Sequence, residues 1–173
     1  MKKSSKIILT AILLLAAVFF SLGIFVPSLN FENRITVNKP VAQSFKIFNS
    51  PFALSEWIPG LKNVKWISGR QNEAGSKWEM IIEQDGNTYV MREELVTFKE
   101  NEVFAVKMEN DEMTNVMEVR FTDKGTVTEI TSTNHVIGKN IFQKSLLVLS
   151  KSIFIKREKK MYEQLKKIIE SSN

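Results

Sequence analysis

The chain of 173 residues is 43% hydrophobic and 25% charged, with no cysteine and one histidine. That suits a single globular domain and excludes disulfides, thiolate metal sites, thiol nucleophiles and multi-histidine zinc sites. The formal charge of +5 falls to +2, 21 basic against 19 acidic side chains, once Lys2, Lys3 and Lys6 are set aside; such a near-neutral remainder is no footprint for nucleic acid.

Residues 7–26, "IILTAILLLAAVFFSLGIFV", form twenty uncharged positions, the length of a helix across a bilayer core. The lysines before them favour a cytoplasmic N-terminus, with everything beyond on the outer side of the membrane. A cleaved signal peptide is the competing reading, with Ser21-Leu22-Gly23 as a small-x-small site. The apolar run is long for a signal and lacks an A-x-A site, so an uncleaved anchor is preferred. The expected organisation is a cytoplasmic stub and transmembrane anchor over 1–30 and one domain over 31–173.

In the domain, "FENRITVNKP" (31–40) alternates like a strand, and "VAQSFKIF" (41–48) repeats apolar residues at helical spacing behind Pro40. "SPFALSEW" (50–57) predicts a second short helix, with Ser50 as N-cap and Pro51 at its first position; "IPG" stops it. Strand-like runs follow at 64–68, 76–84, 88–98, 103–109, 115–122 and 126–136. Asp85-Gly86 predicts a tight hairpin turn. The rest, about Phe142 to Ser171, has neither proline nor glycine and reads as one long helix. Leu147, Phe154, Met161, Leu165 and Ile168 fall on one stripe. Short turns make the strands an antiparallel meander, whose apolar face the long helix covers.

This order resembles the helix-grip fold of the START-like, or SRPBCC, superfamily, which includes polyketide cyclase/dehydrase-like proteins. The residues that carry the resemblance are "ITVNKPVAQSFKIF", "LSEWIPGLKNV" and the strand opening "GSKWEM". It covers Phe31 to Asn173. It implies an α+β fold with a curved antiparallel sheet of about seven strands wrapped on a long C-terminal helix. It also implies a deep, mostly apolar cavity between sheet and helix, with Trp57 and the Ile-Pro-Gly turn at its mouth.

Strand alternation puts Trp78 and Met80 on one face, Tyr89 and Met91 on one face of the partner strand, and Met108 and Met117 further along the meander. With Trp57 and Phe154 these are the candidate ligand-binding residues; Trp66 reads as packing. Seven Met and twelve Phe against two Tyr make an adaptable wall with few polar handles, suited to a lipid or another apolar ligand. A filled core without a cavity remains the alternative. Glu93 shares the parity of Tyr89 and Met91. Turned inward, it would have a raised pKa and could serve as general acid or base; a bulge would turn it outward. Glu93 and Tyr89 are the only catalytic candidates. His135 is expected to point outward, and no Gly-x-Ser-x-Gly elbow or phosphate-binding glycine loop is present.

Two stretches of the last helix stay open. Phe142, Leu146, Leu149 and Ile153 form a second apolar stripe flanked by Lys144, Lys151 and Lys156. Burial against sheet and short helices is the simpler reading, and contact with the bilayer the other. "KREKKMYEQLKK" (156–167) reads as a solvated face with Glu163 paired to Lys167. The function expected is a membrane-anchored domain, attached through residues 7–26, that binds a hydrophobic small molecule or lipid without a cofactor or metal. The alternatives are a cyclase, dehydratase or isomerase, and a protein-interaction module with a collapsed cavity. Oligomeric state is left open.

Overall fold

The computed structural model describes residues 3–84 and 86–172. Its elements in chain order are α1 (Lys3–Phe25), β1 (Ser28–Val37), α2 (Val41–Phe48), α3 (Pro51–Trp57), β2 (Leu61–Ser68), β3 (Lys77–Gln84), β4 (Asn87–Lys99), β5 (Val103–Glu109), β6 (Met113–Asp123), β7 (Thr128–Gly138) and α4 (Ile141–Ser171). Every expected element of the domain is present, with ends shifted by a few residues. Of the expected Asp85-Gly86 turn, Asp85 lies outside the described residues; Gly86 has φ +77.

The seven strands form one antiparallel sheet in the order β1-β7-β6-β5-β4-β3-β2. From β2 to β6 each strand pairs with the next in sequence, as short turns dictate. β1 instead pairs with β7 over ten residues, from Ser28↔Ile137 to Val37↔Thr128. Consecutive strands β1 and β2 therefore lie at opposite edges, and α2 and α3 carry the chain between them. The outer sheet face bears cross-strand ion pairs such as Lys77–Glu94 at 3.3 Å and Arg34–Glu129 at 3.6 Å. Being exposed, these contribute little stability, but they show which face meets water.

The inner face is covered by α4, 31 residues long, or about 46 Å at 1.5 Å per residue. Asn140 caps it, its side chain accepting from the Gln143 amide at 3.0 Å. The second half of α4 is anchored by Tyr162, Leu165 and Ile169, all fully buried. Burying side chains of this size stabilises by roughly 1.5–3 kcal/mol each. They join Val37, Val119, Phe121 and Ile130 from the sheet and Phe45 and Phe48 from α2 in the main core. Phe45 and Phe48 each meet Phe121 edge-on, at 5.0 and 5.2 Å between centroids.

Helix α1 is long and apolar enough to cross a membrane or to act as a signal sequence. Residues 3–15 are exposed throughout. Its last turns pack on the start of α4. There the Gly23 amide donates to Ser145 Oγ at 3.1 Å, and Phe19 meets Phe142 at 5.4 Å. The approach needs glycine, because a Cβ on Gly23 would lie 2.6 Å from Ser145 Oγ and 2.7 Å from the Ile141 carbonyl oxygen.

Candidate functional site: an apolar cavity with a polar pole

Between the inner sheet face, α3 and α4 lies a cavity of about 1000 Å3. The core is therefore open there, against the alternative of a filled one. Strand register explains its wall. Trp66 of β2 lies opposite Trp78 of β3, Trp78 opposite Glu93 of β4, Glu93 opposite Met108 of β5, Met108 opposite Asn115 of β6, and Asn115 opposite Val136 of β7. A second row runs Leu95, Val106, Met117, Asn134. Met80 and Met91 are partners in a third. All these residues line the cavity, because residues directly opposite in a sheet project to the same face.

Of the eight candidate ligand-binding residues, seven line the cavity: Trp57, Trp78, Met80 and Met91, with Met108, Met117 and Phe154. Tyr89 does not; it is 44% exposed, on a stretch of β4 beside the β3–β4 turn where residues 87–90 are all exposed. Trp57 is an inner wall residue rather than a lip. It is 4% exposed and stacks on Phe48 at 5.5 Å. The exposed lining residues Pro59 and Gly60 supply the rim beside it. Gly60 has φ +79, and a Cβ there would lie 2.2 Å from the Glu83 carbonyl oxygen, so this turn requires glycine. Trp66, read from sequence as packing, also lines the cavity and stacks on Trp78 at 5.8 Å and 9°.

Glu93 faces inward. The register does slip in β4, but between Leu95 and Thr97, beyond Glu93. Its carboxylate is buried, accepts from the Trp78 side chain, and has its pKa pushed up to about 8 by desolvation, which that hydrogen bond only partly offsets. A carboxyl group that holds its proton near neutrality thus sits in an apolar wall.

A second polar group lies where sequence reasoning placed a solvated face. Glu158 of α4 is buried and lines the cavity. Glu158 Oε1 accepts from Ser132 Oγ and Asn134 Nδ2, both at 2.7 Å, and Oε2 accepts from Asn33 Nδ2. Asn134 Oδ1 in turn accepts from Asn115 Nδ2 at 2.8 Å. The network ties α4 to β1, β6 and β7. One turn on, Tyr162 is fully buried beside the cavity. Burial raises its pKa most, a hydrogen bond with Ser132 lowers it and the charge of Glu158 raises it further, so its hydroxyl stays protonated. The expected Glu163–Lys167 pair is replaced among the described residues by Lys166–Glu170 at 3.8 Å. The missed signal was spacing: Glu158, Tyr162, Leu165 and Ile169 recur at four, three and four residues, a helical stripe hidden by its charged first member.

Two further placements bear on function. His135 is exposed on the outer face beside Asn30, as its parity predicts. Phe142, Leu146, Leu149 and Ile153 are 54%, 47%, 58% and 58% exposed, so the second stripe of α4 is not buried against sheet or short helices.

Comparison with known proteins gives the family and the fold. Residues 28–170 match the family described as polyketide cyclase/dehydrase and lipid transport. No curated protein sequence matches the chain. Among solved structures, protein CV1439 from Chromobacterium violaceum superposes with a TM-score of 0.65 at 12% identity, over 83% of this chain and 98% of its own. Norcoclaurine synthase from Thalictrum flavum, in complex with dopamine and hydroxybenzaldehyde, gives 0.61 at 13%, over 84% and 89%. The di-domain aromatase/cyclase StfQ of the steffimycin biosynthetic pathway gives 0.66 at 12%, over 80% of this chain and 49% of its own. At such identities the likeness is one of fold.

Proposed function

The chain belongs to the polyketide cyclase/dehydrase and lipid transport family, and from that premise we propose that it is a membrane-anchored domain that binds a hydrophobic small molecule or lipid in its internal cavity. The observation that carries the reading is the cavity: about 1000 Å3, its surface mainly that of Trp, Met, Phe and aliphatic side chains, with polar residues such as Glu93, Asn115, Asn134 and Glu158 among them. That volume is at the upper end of the roughly 300–1,000 Å3 typical of ligand pockets. Thioethers adapt to ligands of varied shape.

Retention of α1 as an anchor is supported by its packing. A cleaved signal has no reason to dock on the mature domain, yet Gly23 is buried against Ser145. The exposed α4 stripe lies beside that contact, with Lys144, Lys151 and Lys156 flanking it. Apolar residues next to an anchor, rimmed by lysines, suit the boundary between lipid tails and headgroups. On this reading α4 rests on the bilayer, and Lys2, Lys3 and Lys6 ahead of the apolar run favour a cytoplasmic N-terminus.

The test is native mass spectrometry of the full-length protein extracted gently from its own membrane. A bound species of defined mass supports the reading and names the ligand class; its absence counts against it. The intact mass shows directly whether residues 1–26 are retained.

One observation favours a second reading, an enzyme: Glu93, buried in the cavity and protonated near pH 7, has the properties of a general acid. Small molecules that co-purify with wild type and with Glu93→Gln decide between the two. An enzyme accumulates in the variant a substrate that differs in mass from the wild-type product, whereas a carrier yields the same species from both.

A further inference from the structure

The exposed stripe of α4 does not end at Ile153. Phe142, Leu146, Leu149 and Ile153 are followed at helical spacing, four and then three residues on, by Arg157 and Lys160. One side of the helix therefore carries four apolar side chains and then two cations. The stripe begins at the anchor, where Phe142 meets Phe19 of α1 at 5.4 Å. Arg157 lies about 22 Å further along the helix axis. Arg157 and Lys160 are exposed and also line the cavity, beside the half-buried Phe154 and Met161. A lining residue that is also exposed marks an opening, so the stripe leads from α1 to the cavity mouth.

Neither cation has an ion-pair partner among the described residues. The acidic residues of the lining are otherwise engaged. Glu83 pairs with Lys62 at 3.1 Å, Glu158 accepts from Asn33, Ser132 and Asn134, and Glu93 holds its proton near neutrality. Over Ile141–Ser171 there are eight basic against three acidic side chains. The mouth thus complements an anion. That anion has to stay at the rim, because a charge drawn into the apolar interior loses its hydration and comes close to Glu158. An apolar chain is what the interior takes. With the stripe at the boundary between tails and headgroups, Arg157 and Lys160 sit at the level of lipid phosphates. The planar fork of Arg157 matches phosphate oxygens.

We infer that Arg157 and Lys160 form the headgroup subsite of the cavity for an anionic phospholipid, taken from the bilayer along the α4 stripe with its acyl chains inside. The inference rests on the cavity-binding reading and names the ligand class for it.

The protein carries its own reporter: Trp57, Trp66 and Trp78 are its three tryptophans, and all line the cavity. Bromine quenches an indole on near contact, so a brominated chain in the cavity darkens them. Full-length protein in a non-ionic detergent is titrated with phosphatidylglycerol and phosphatidylcholine bearing the same brominated chains, and with the brominated fatty acid. Two exposed charge pairs correspond to roughly three- to tenfold in affinity. Phosphatidylglycerol should quench at a concentration lower than phosphatidylcholine by that factor, and added salt should shrink the difference. The double variant Arg157→Gln, Lys160→Gln should lose the preference. Its phosphatidylcholine curve and melting temperature should stay unchanged, because both side chains are exposed. The double variant Lys156→Gln, Lys159→Gln removes the same charge from α4 at positions outside the lining and should keep the preference. Equal quenching by both phospholipids in wild type overturns the subsite alone. So does a preference that survives the first double variant, or that falls as far in the second. Tighter quenching by the fatty acid than by phosphatidylglycerol overturns it in favour of a carboxylate ligand. Absence of quenching by every probe overturns the cavity reading together with it.

Discussion

Glu93 makes the pH dependence of stability a direct test of the site. The unfolded chain releases this proton near the ordinary value of 4.5, whereas the folded chain holds it to about 8. Between these values the native state binds a proton that the unfolded state has lost, so stability falls as pH rises through the window. Each unit corresponds to about 1.4 kcal/mol. The penalty is absent below about pH 4.5, reaches roughly 3 kcal/mol at pH 7 and levels off near 4–5 kcal/mol above pH 8. Glu93→Gln keeps the shape, and its amide oxygen still accepts from Trp78, but it has no proton to lose. Urea denaturation of the detergent-solubilised protein at pH 5 and pH 8 should show the variant gaining about 3–4 kcal/mol on wild type between the two. A difference between variant and wild type that is the same at both pH values would refute the buried, inward carboxyl and with it the enzyme reading.

Other expectations follow from the same geometry. Gly23→Val should push α1 off α4, because its Cβ meets the Ile141 carbonyl oxygen at 2.7 Å; differential scanning fluorimetry should show a melting temperature lowered by several degrees, and an unchanged value would refute a retained, packed anchor. Glu158→Ala leaves Ser132, Asn134 and Asn33 without their shared acceptor and should cost about 3 kcal/mol or more in a urea titration, given roughly 1–3 kcal/mol per orphaned buried group. Met91→Gln puts an amide on the cavity wall at a half-buried position; an apolar probe should bind several-fold more weakly while the melting temperature shifts little. Unchanged probe affinity in that variant would remove Met91 from the site.

Local periodicity determined a good deal. A strand period of two and a helix period of 3.6 mark elements without reference to their partners, so the chain order of helices and strands was legible. So was an N-terminal helix of membrane-spanning length. Alternation also grouped Trp78 with Met80 and Met91 with Glu93 on shared faces, and the inner sheet face collects both pairs. Periodicity states which residues share a face; it does not state which face is inside, or where along a strand the cavity ends. Tyr89 has the same parity as Met91 and Glu93 yet lies exposed, because the end of β4 extends beyond the cavity lining. A bulge two residues earlier would have turned Glu93 to solvent; its place beyond Leu95 is set by pairing with β5.

Tertiary structure alone decided the phase of α4. Its lysine-rich second half looks solvated when read along the chain. Packing on β1 and β7 turns Glu158 and Tyr162 inward, where Ser132, Asn134 and Asn33 meet the carboxylate. That meeting joins residues more than a hundred positions apart, Asn33 and Glu158 among them, and no local pattern encodes it. The same packing leaves Phe142, Leu146, Leu149 and Ile153 uncovered, since a helix has only one side to give to one sheet. The sequence by itself thus determined the elements and the apolar character of the inner wall. The polar pole of the cavity and the contact between α1 and α4 arise only when distant segments pack, because a buried charge is tolerated only where the fold brings donors to it.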